Sequence, residues 1–124
     1  MNSAEVVTTF IRALERSDLD AALELVTEDV EYDNVPMLKV VGAQAIRDVL
    51  GPFLSAFQSI EWVVHHQVAE GELVMNERLD RFQRPDGSWL ELPVAGLFVV
   101  RDGRIALWRD YFDLGGFQRQ MGGS

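Results

Sequence analysis

The second half of the chain alternates apolar and polar residues in four long runs, separated by turn sequences. The runs are Ile60–Glu70, Leu73–Gln83, Trp89–Val100 and Ile105–Asp113. Between them stand Glu70-Gly71-Glu72, Pro85-Asp86-Gly87-Ser88 and Arg101-Asp102-Gly103-Arg104. Period-two alternation buries one face of a strand, and Pro-Asp-Gly and Asp-Gly are turn and hairpin formers. Such a segment folds as an antiparallel meander with one wet and one dry face. The dry face needs a partner layer, and the first half of the chain supplies it. Val6, Val7, Phe10, Ile11 and Leu14 recur at helical spacing, with Ser3 as the expected N-cap and Glu5 in the first turn. Asp18 is placed to cap a short second helix with the apolar face Leu19, Ala22, Leu23 and Val26. Val30–Val35 alternates and stops at Pro36, which predicts an early strand. Ala43–Phe57 predicts a third helix with Ile46, Leu50, Phe53, Leu54 and Phe57 inward, bent or restarted at Pro52. A short helical tail follows the last strand. Helices segregated from hairpins imply an α+β fold, with helices packed on one face of a curved sheet and a pocket between the layers.

At 124 residues one domain spanning 1–124 is expected, large enough for a real core. The net charge of −9 (11 basic against 20 acidic residues) disfavours a nucleic-acid partner and an anionic membrane surface. With no cysteine, thiolate metal sites, disulfides and a Cys nucleophile are excluded. His65 and His66 are adjacent on a strand, so alternation sends them to opposite faces and no metal is expected. No glycine-rich phosphate loop or Gly-x-Ser-x-Gly elbow is present. There is neither a signal-like start nor an apolar run of the ~18 residues a span needs, so a cytoplasmic protein is expected.

The chemistry lies in polar residues that share a face with apolar ones. Asn76, Arg78, Asp80 and Phe82 fall on one side of their strand, and Leu92, Val94, Gly96 and Phe98 on one side of the next. Ala106, Trp108, Asp110 and Phe112 do the same in the last. If the apolar members face the pocket, Arg78, Asp80 and Asp110 are drawn inside. A solvated surface pair, Arg78 with Asp80, fits the charge pattern as well, because Glu77 and Arg81 occupy the other side. Tyr32 and Asn34 share a face of the early strand. They are read either as a core-edge pair before a turn or as two groups able to hold one water.

Three segments carry a resemblance. Trp108-Arg109-Asp110-Tyr111-Phe112-Asp113 is similar to the signature run of the limonene-1,2-epoxide hydrolase family. Glu77-Arg78-Leu79-Asp80 resembles that family's Arg-x-Asp strand, and Glu31-Tyr32-Asp33-Asn34-Val35-Pro36 its Tyr-x-Asn segment. The order and approximate spacing match, from the first helix to Phe117. The resemblance implies the nuclear transport factor 2-like cone. It also implies a one-step, general acid/base addition of water to an apolar epoxide (terpene-like, cyclic or aryl-alkyl), giving a vicinal diol with no cofactor. Asp110 would be the base, Asp80 the acid, and Arg78 the bridge between them. Tyr32 and Asn34 would hold the water. Strand parity gives Phe82, Leu92, Val94, Trp108 and Phe112 as pocket wall. By matching position the resemblance adds Ile11, Leu14, Phe53, Phe57, Trp62 and Phe117, and it implies a homodimer. After Phe117, where the family closes its pocket, the chain ends in the short Gly122-Gly123-Ser124 tail. The same cone serves ketosteroid isomerases, polyketide cyclases and non-catalytic ligand-binding modules, so fold alone leaves those functions open.

Overall fold

A computed structural model describes residues 1–122; the last two residues of the Gly-rich tail lie outside the described residues. The elements run α1 (Ser3–Glu15), α2 (Leu19–Leu23), β1 (Val26–Val35), β2 (Leu38–Val41), α3 (Ala43–Ser55), β3 (Ser59–Glu70), β4 (Leu73–Gln83), β5 (Trp89–Arg101), β6 (Arg104–Phe112) and α4 (Leu114–Gln120). Six strands form one sheet in the order β2-β1-β6-β5-β4-β3. The meander β3 to β6 is antiparallel throughout. β1 joins it parallel to β6, so the sheet is mixed. Helix α1 packs across β3 to β6, and α3 packs on β1 and β2. The α+β cone expected from the sequence is the fold observed.

The core follows from the two periodicities. One face of α1 (Val6, Val7, Phe10, Ile11, Leu14) is fully buried. Phe10 meets Trp108 and Phe98 edge-on at 5.0 and 6.4 Å. Every second residue of β4 from Val74 to Phe82 is buried, and so is every second residue of β5 from Leu90 to Val100, Gly96 included.

Local details differ from the sequence reading in four places. Asn2, not Ser3, caps α1. Its Oδ1 accepts from Glu5 N at 2.8 Å while Glu5 Oε1 accepts from Asn2 N at 2.9 Å, a capping box that needs the residue three before Glu5. The Ser3 hydroxyl donates instead to Gly71 O. Val26 does not continue the face of α2. It opens β1 opposite Ile105, because five residues complete a helix whose N-terminus Asp18 caps as expected. The segment after Pro36, to which the sequence reading assigned no element, forms β2, an edge strand antiparallel to β1. Its four residues are too short to show alternation. Helix α3 runs unbroken through Pro52 and ends at Ser55, leaving Phe57 beyond it. Gly51 precedes the proline, and lacking a Cβ it removes part of the crowding that turns the residue before a proline away from the helical conformation.

The two histidines depart as well. The ladder between β3 and β4 shifts between Val64 and His66, so strict alternation fails there. Both side chains are exposed, and His66 Nδ1 lies 2.9 Å from Glu77 Oε1.

Candidate active site

Ladder register sets the site. Asn76 pairs with Gly96, Gly96 with Asp110, and Asp110 with Asn34. These four residues form one row across β4, β5, β6 and β1. The next row toward the core reads Val74, Phe98, Trp108, Tyr32. Its rings form a stack: Phe98 and Trp108 are nearly parallel at 6.4 Å, and Trp108 lies 4.0 Å from Tyr32. On the other side of the polar row, Arg78 pairs with Val94, and Asp80 stands between Trp62 and Leu92.

Arg78, Asp80, Asp110 and Asn76 are all buried. The Arg78 fork grips Asp80 with two bonds, Nε to Oδ1 and Nη2 to Oδ2, both 3.0 Å. Nη2 also donates to Asp110 Oδ2 at 2.9 Å, and Nη1 to Asn76 Oδ1 at 2.9 Å. The guanidinium carbon lies 4.9 Å from the Trp62 ring centre. The surface-pair alternative for Arg78 and Asp80 is therefore overturned. Buried charge is costly unless paired, and here one cation serves two carboxylates.

The pairing leaves one atom over. Asp110 Oδ1 is buried and has no hydrogen-bond partner in the protein. Burial pushes the Asp80 carboxyl up to about 6; the Arg78 charge and hydrogen bonds oppose the rise, while Asp110 and Glu15 add to it. Burial works against the Arg78 charge, but the two carboxylates outweigh it and hold the guanidinium protonated. Burial, then the nearby Asp110, keeps the Tyr32 hydroxyl protonated far above its usual range.

Against these carboxylates lies a cavity of about 160 Å³. Tyr32, Asn34, Asp80 and Asp110 supply its polar end. Of the expected wall residues, Phe53, Trp62, Phe82, Leu92, Val94, Phe112 and Phe117 line it. Four do not. Ile11 and Leu14 are buried in the core on α1. Trp108 lies one row behind, flat against Tyr32. Phe57 backs the wall, 5.1 Å from Phe53 and 5.3 Å from Phe82. Arg78 does not line the cavity either; it is held from behind by its bonds. The sequence reading missed Met37, Leu38 and Val49, which complete the lining beside the inward-facing Leu50 and Leu54. Met37 and Leu38 arrive on the unexpected β1–β2 hairpin. Phe117 comes from α4, which Gln120 fastens to β5: its side-chain amide accepts from Glu91 N at 2.8 Å and donates to Glu91 O at 2.7 Å.

The cone itself is the nuclear transport factor 2-like fold. A protein of that class from Burkholderia pseudomallei superposes with a TM-score of 0.85 at 16% identity, covering 97% of each chain, which speaks for the fold alone. Within the class, the model of the limonene-1,2-epoxide hydrolase catalytic domain matches residues 1–121, and the chain belongs to that family of epoxide hydrolases. It is 32% identical over 108 residues to epoxide hydrolase EphG of Mycobacterium tuberculosis, covering 87% of this chain and 71% of that protein. The structure of an M. tuberculosis LEH-like epoxide hydrolase superposes with a TM-score of 0.81 at 30% identity, over 95% of this chain and 90% of the other.

Proposed function

We propose that this protein adds water to an apolar epoxide in one step, giving a vicinal diol without a covalent enzyme intermediate. The observation that carries the reading is the buried Asp110 Oδ1, unpartnered in the protein, beside a second carboxyl biased toward its protonated form. In this mechanism Asp110 takes a proton from water as the water oxygen bonds to an epoxide carbon. The carbon–oxygen bond of the ring breaks, its electron pair stays on oxygen, and Asp80 protonates that oxygen. Each Asp80 oxygen gives Arg78 one lone pair and keeps another for this proton. Exchange with solvent resets both carboxyls. Tyr32 and Asn34 hold the water, and Arg78 fixes both carboxylates. The lining favours terpene-like, cyclic or aryl-alkyl epoxides over charged ones, because a charged group would lose its hydration there without gaining a partner.

The first test is turnover of a panel of such epoxides, followed by diol formation. Failure on every member would return the site to the carbon-acid chemistry of isomerases and cyclases, or to ligand binding. The proposal includes a cytoplasmic homodimer. Among the described residues, no helix is long and apolar enough to cross a membrane.

Two further outcomes follow from these roles. Loss of the Asp80 proton removes the acid, so kcat/KM should fall on the alkaline side of an apparent pKa near 6. A profile flat from pH 5 to 9 would remove Asp80 from the acid role.

Tyr32→Phe and Asn34→Ala should each lower kcat about 5- to 150-fold, the equivalent of ~1–3 kcal/mol, with little change in KM. Both contact the water and not the hydrocarbon, so their bonds matter in the transition state. The double variant should lose less than the product of the singles, since one water serves both. Unchanged kcat in both singles with lowered thermal stability would make them structural residues.

A further inference from the structure

The row Asn76, Gly96, Asp110, Asn34 contains one position with no side chain. Gly96 has no positive φ that would call for glycine. Its backbone would accept any residue suited to a strand, so the reason for glycine lies in the space above it. A Cβ built there falls within clashing distance of Arg78 Nη1, 2.8 Å from Asn76 Oδ1 and 3.0 Å from Asp110 Oδ1. The guanidinium thus sits where the side chain of residue 96 would otherwise be.

Asn76 holds the same guanidinium nitrogen. Its Oδ1 accepts from Arg78 Nη1, and its Nδ2 donates to Gln67 Oε1 at 3.1 Å. Gln67 in turn donates to Thr8 Oγ1 and Ala4 O on α1. The chain of bonds fixes which face of the Asn76 amide meets the arginine. Nη1 bonds Asn76, and Nη2 is the nitrogen that bonds Asp110. Asp110 receives a single bond from Arg78, on Oδ2, and its Oδ1 is unpartnered.

We infer that Asn76 and Gly96 are positioning residues for this reaction: Gly96 supplies the space and Asn76 the tether that keep Arg78 bonded twice to Asp80 and once to Asp110. The inference rests on the proposed roles of Asp110 and Arg78. Neither residue touches substrate; both act through the guanidinium.

The test compares wild type, Gly96→Ala, Asn76→Ala and Asp110→Asn on one epoxide that the wild type turns over. It measures kcat, KM, the pH profile of kcat/KM and thermal unfolding. Ångström-scale displacement of a catalytic group can cost ~10²-fold. Gly96→Ala is expected to lose about that much in kcat, and Asn76→Ala somewhat less, with KM little changed. In both, a loosened guanidinium lowers the Asp80 carboxyl less, so the alkaline limb should move to higher pH. Glu15, Asp110 and Tyr32, the other titratable groups acting on this set, are unaltered. The two variants disturb Arg78 in different ways, one by crowding Nη1 and the other by removing the bond it makes, so either decides the matter if the other fails to fold. A purely structural role would lower the melting temperature and leave kcat and the limb in place. That result beside an inactive Asp110→Asn would overturn this inference alone. A fully active Asp110→Asn would overturn the reading of the site and this inference with it.

Discussion

Asp110→Asn should fold like the wild type and lose nearly all turnover, by ~10²–10⁴-fold or more. The geometry makes the substitution specific. Asp110 Oδ2 accepts from Arg78, and the amide oxygen of Asn would take that place. The amide nitrogen then occupies the position of Oδ1, replacing a free acceptor with a donor. Shape is kept and the base is removed. Asp80→Asn should be equally inactive, because the bidentate partner of Arg78 can no longer lend a proton. It should also be the less stable of the two, since one amide N–H would point at a guanidinium N–H. Steady-state turnover with thermal unfolding alongside checks both. Wild-type kcat in Asp110→Asn would end its assignment as base.

Arg78→Leu carries the largest combined effect. It removes the side-chain cation hydrogen-bonded to Asp80 and Asp110, which are both buried. Breaking a buried pair from one side costs about 3–5 kcal/mol, and turnover should vanish with it. The pH dependence has a definite sign. Asp80 already titrates above its ordinary range, and loss of the cation raises it further. A carboxyl raised in the folded state stabilises the fold fully below its unfolded pKa, roughly 4, and this contribution is lost as pH rises through the folded value. The stability gap between wild type and Arg78→Leu should therefore be smallest near pH 4 and widen toward pH 8. Urea unfolding across that range measures it, and a pH-independent gap would contradict the account. Arg78→Lys should recover part of the stability but little turnover, because a point charge cannot span two carboxylates with a planar fork.

Much of this arrangement was legible in the sequence, and the parts that were not share a cause. Period-two alternation with strong turns located β4 within its observed limits and the other meander strands to within a residue or so at each end. The same parity drew Arg78, Asp80 and Asp110 to one interior. Burial could not be decided at that level, because Glu77 and Arg81 alternate with equal charge; the helices covering one face decide it. Ile11, Leu14 and Trp108 show why an inward-facing residue need not be a cavity residue. Parity gives the face, but depth along the strand or helix separates core from pocket. Met37 and Leu38 depended on a short edge strand with no periodic signal. Gly96 did leave one: a glycine inside a strand otherwise rich in apolar residues marks a close approach, although only the fold shows that the approaching group is Arg78.

The central claim is direct attack by water, and a single turnover in oxygen-18 water tests it most directly. With enzyme in excess over an epoxide, every first-turnover diol should carry one oxygen-18 atom, and the protein should remain unlabelled. An unlabelled first-turnover diol, with oxygen-18 found in the carboxyl of Asp80 or Asp110, would show an ester intermediate and contradict the account.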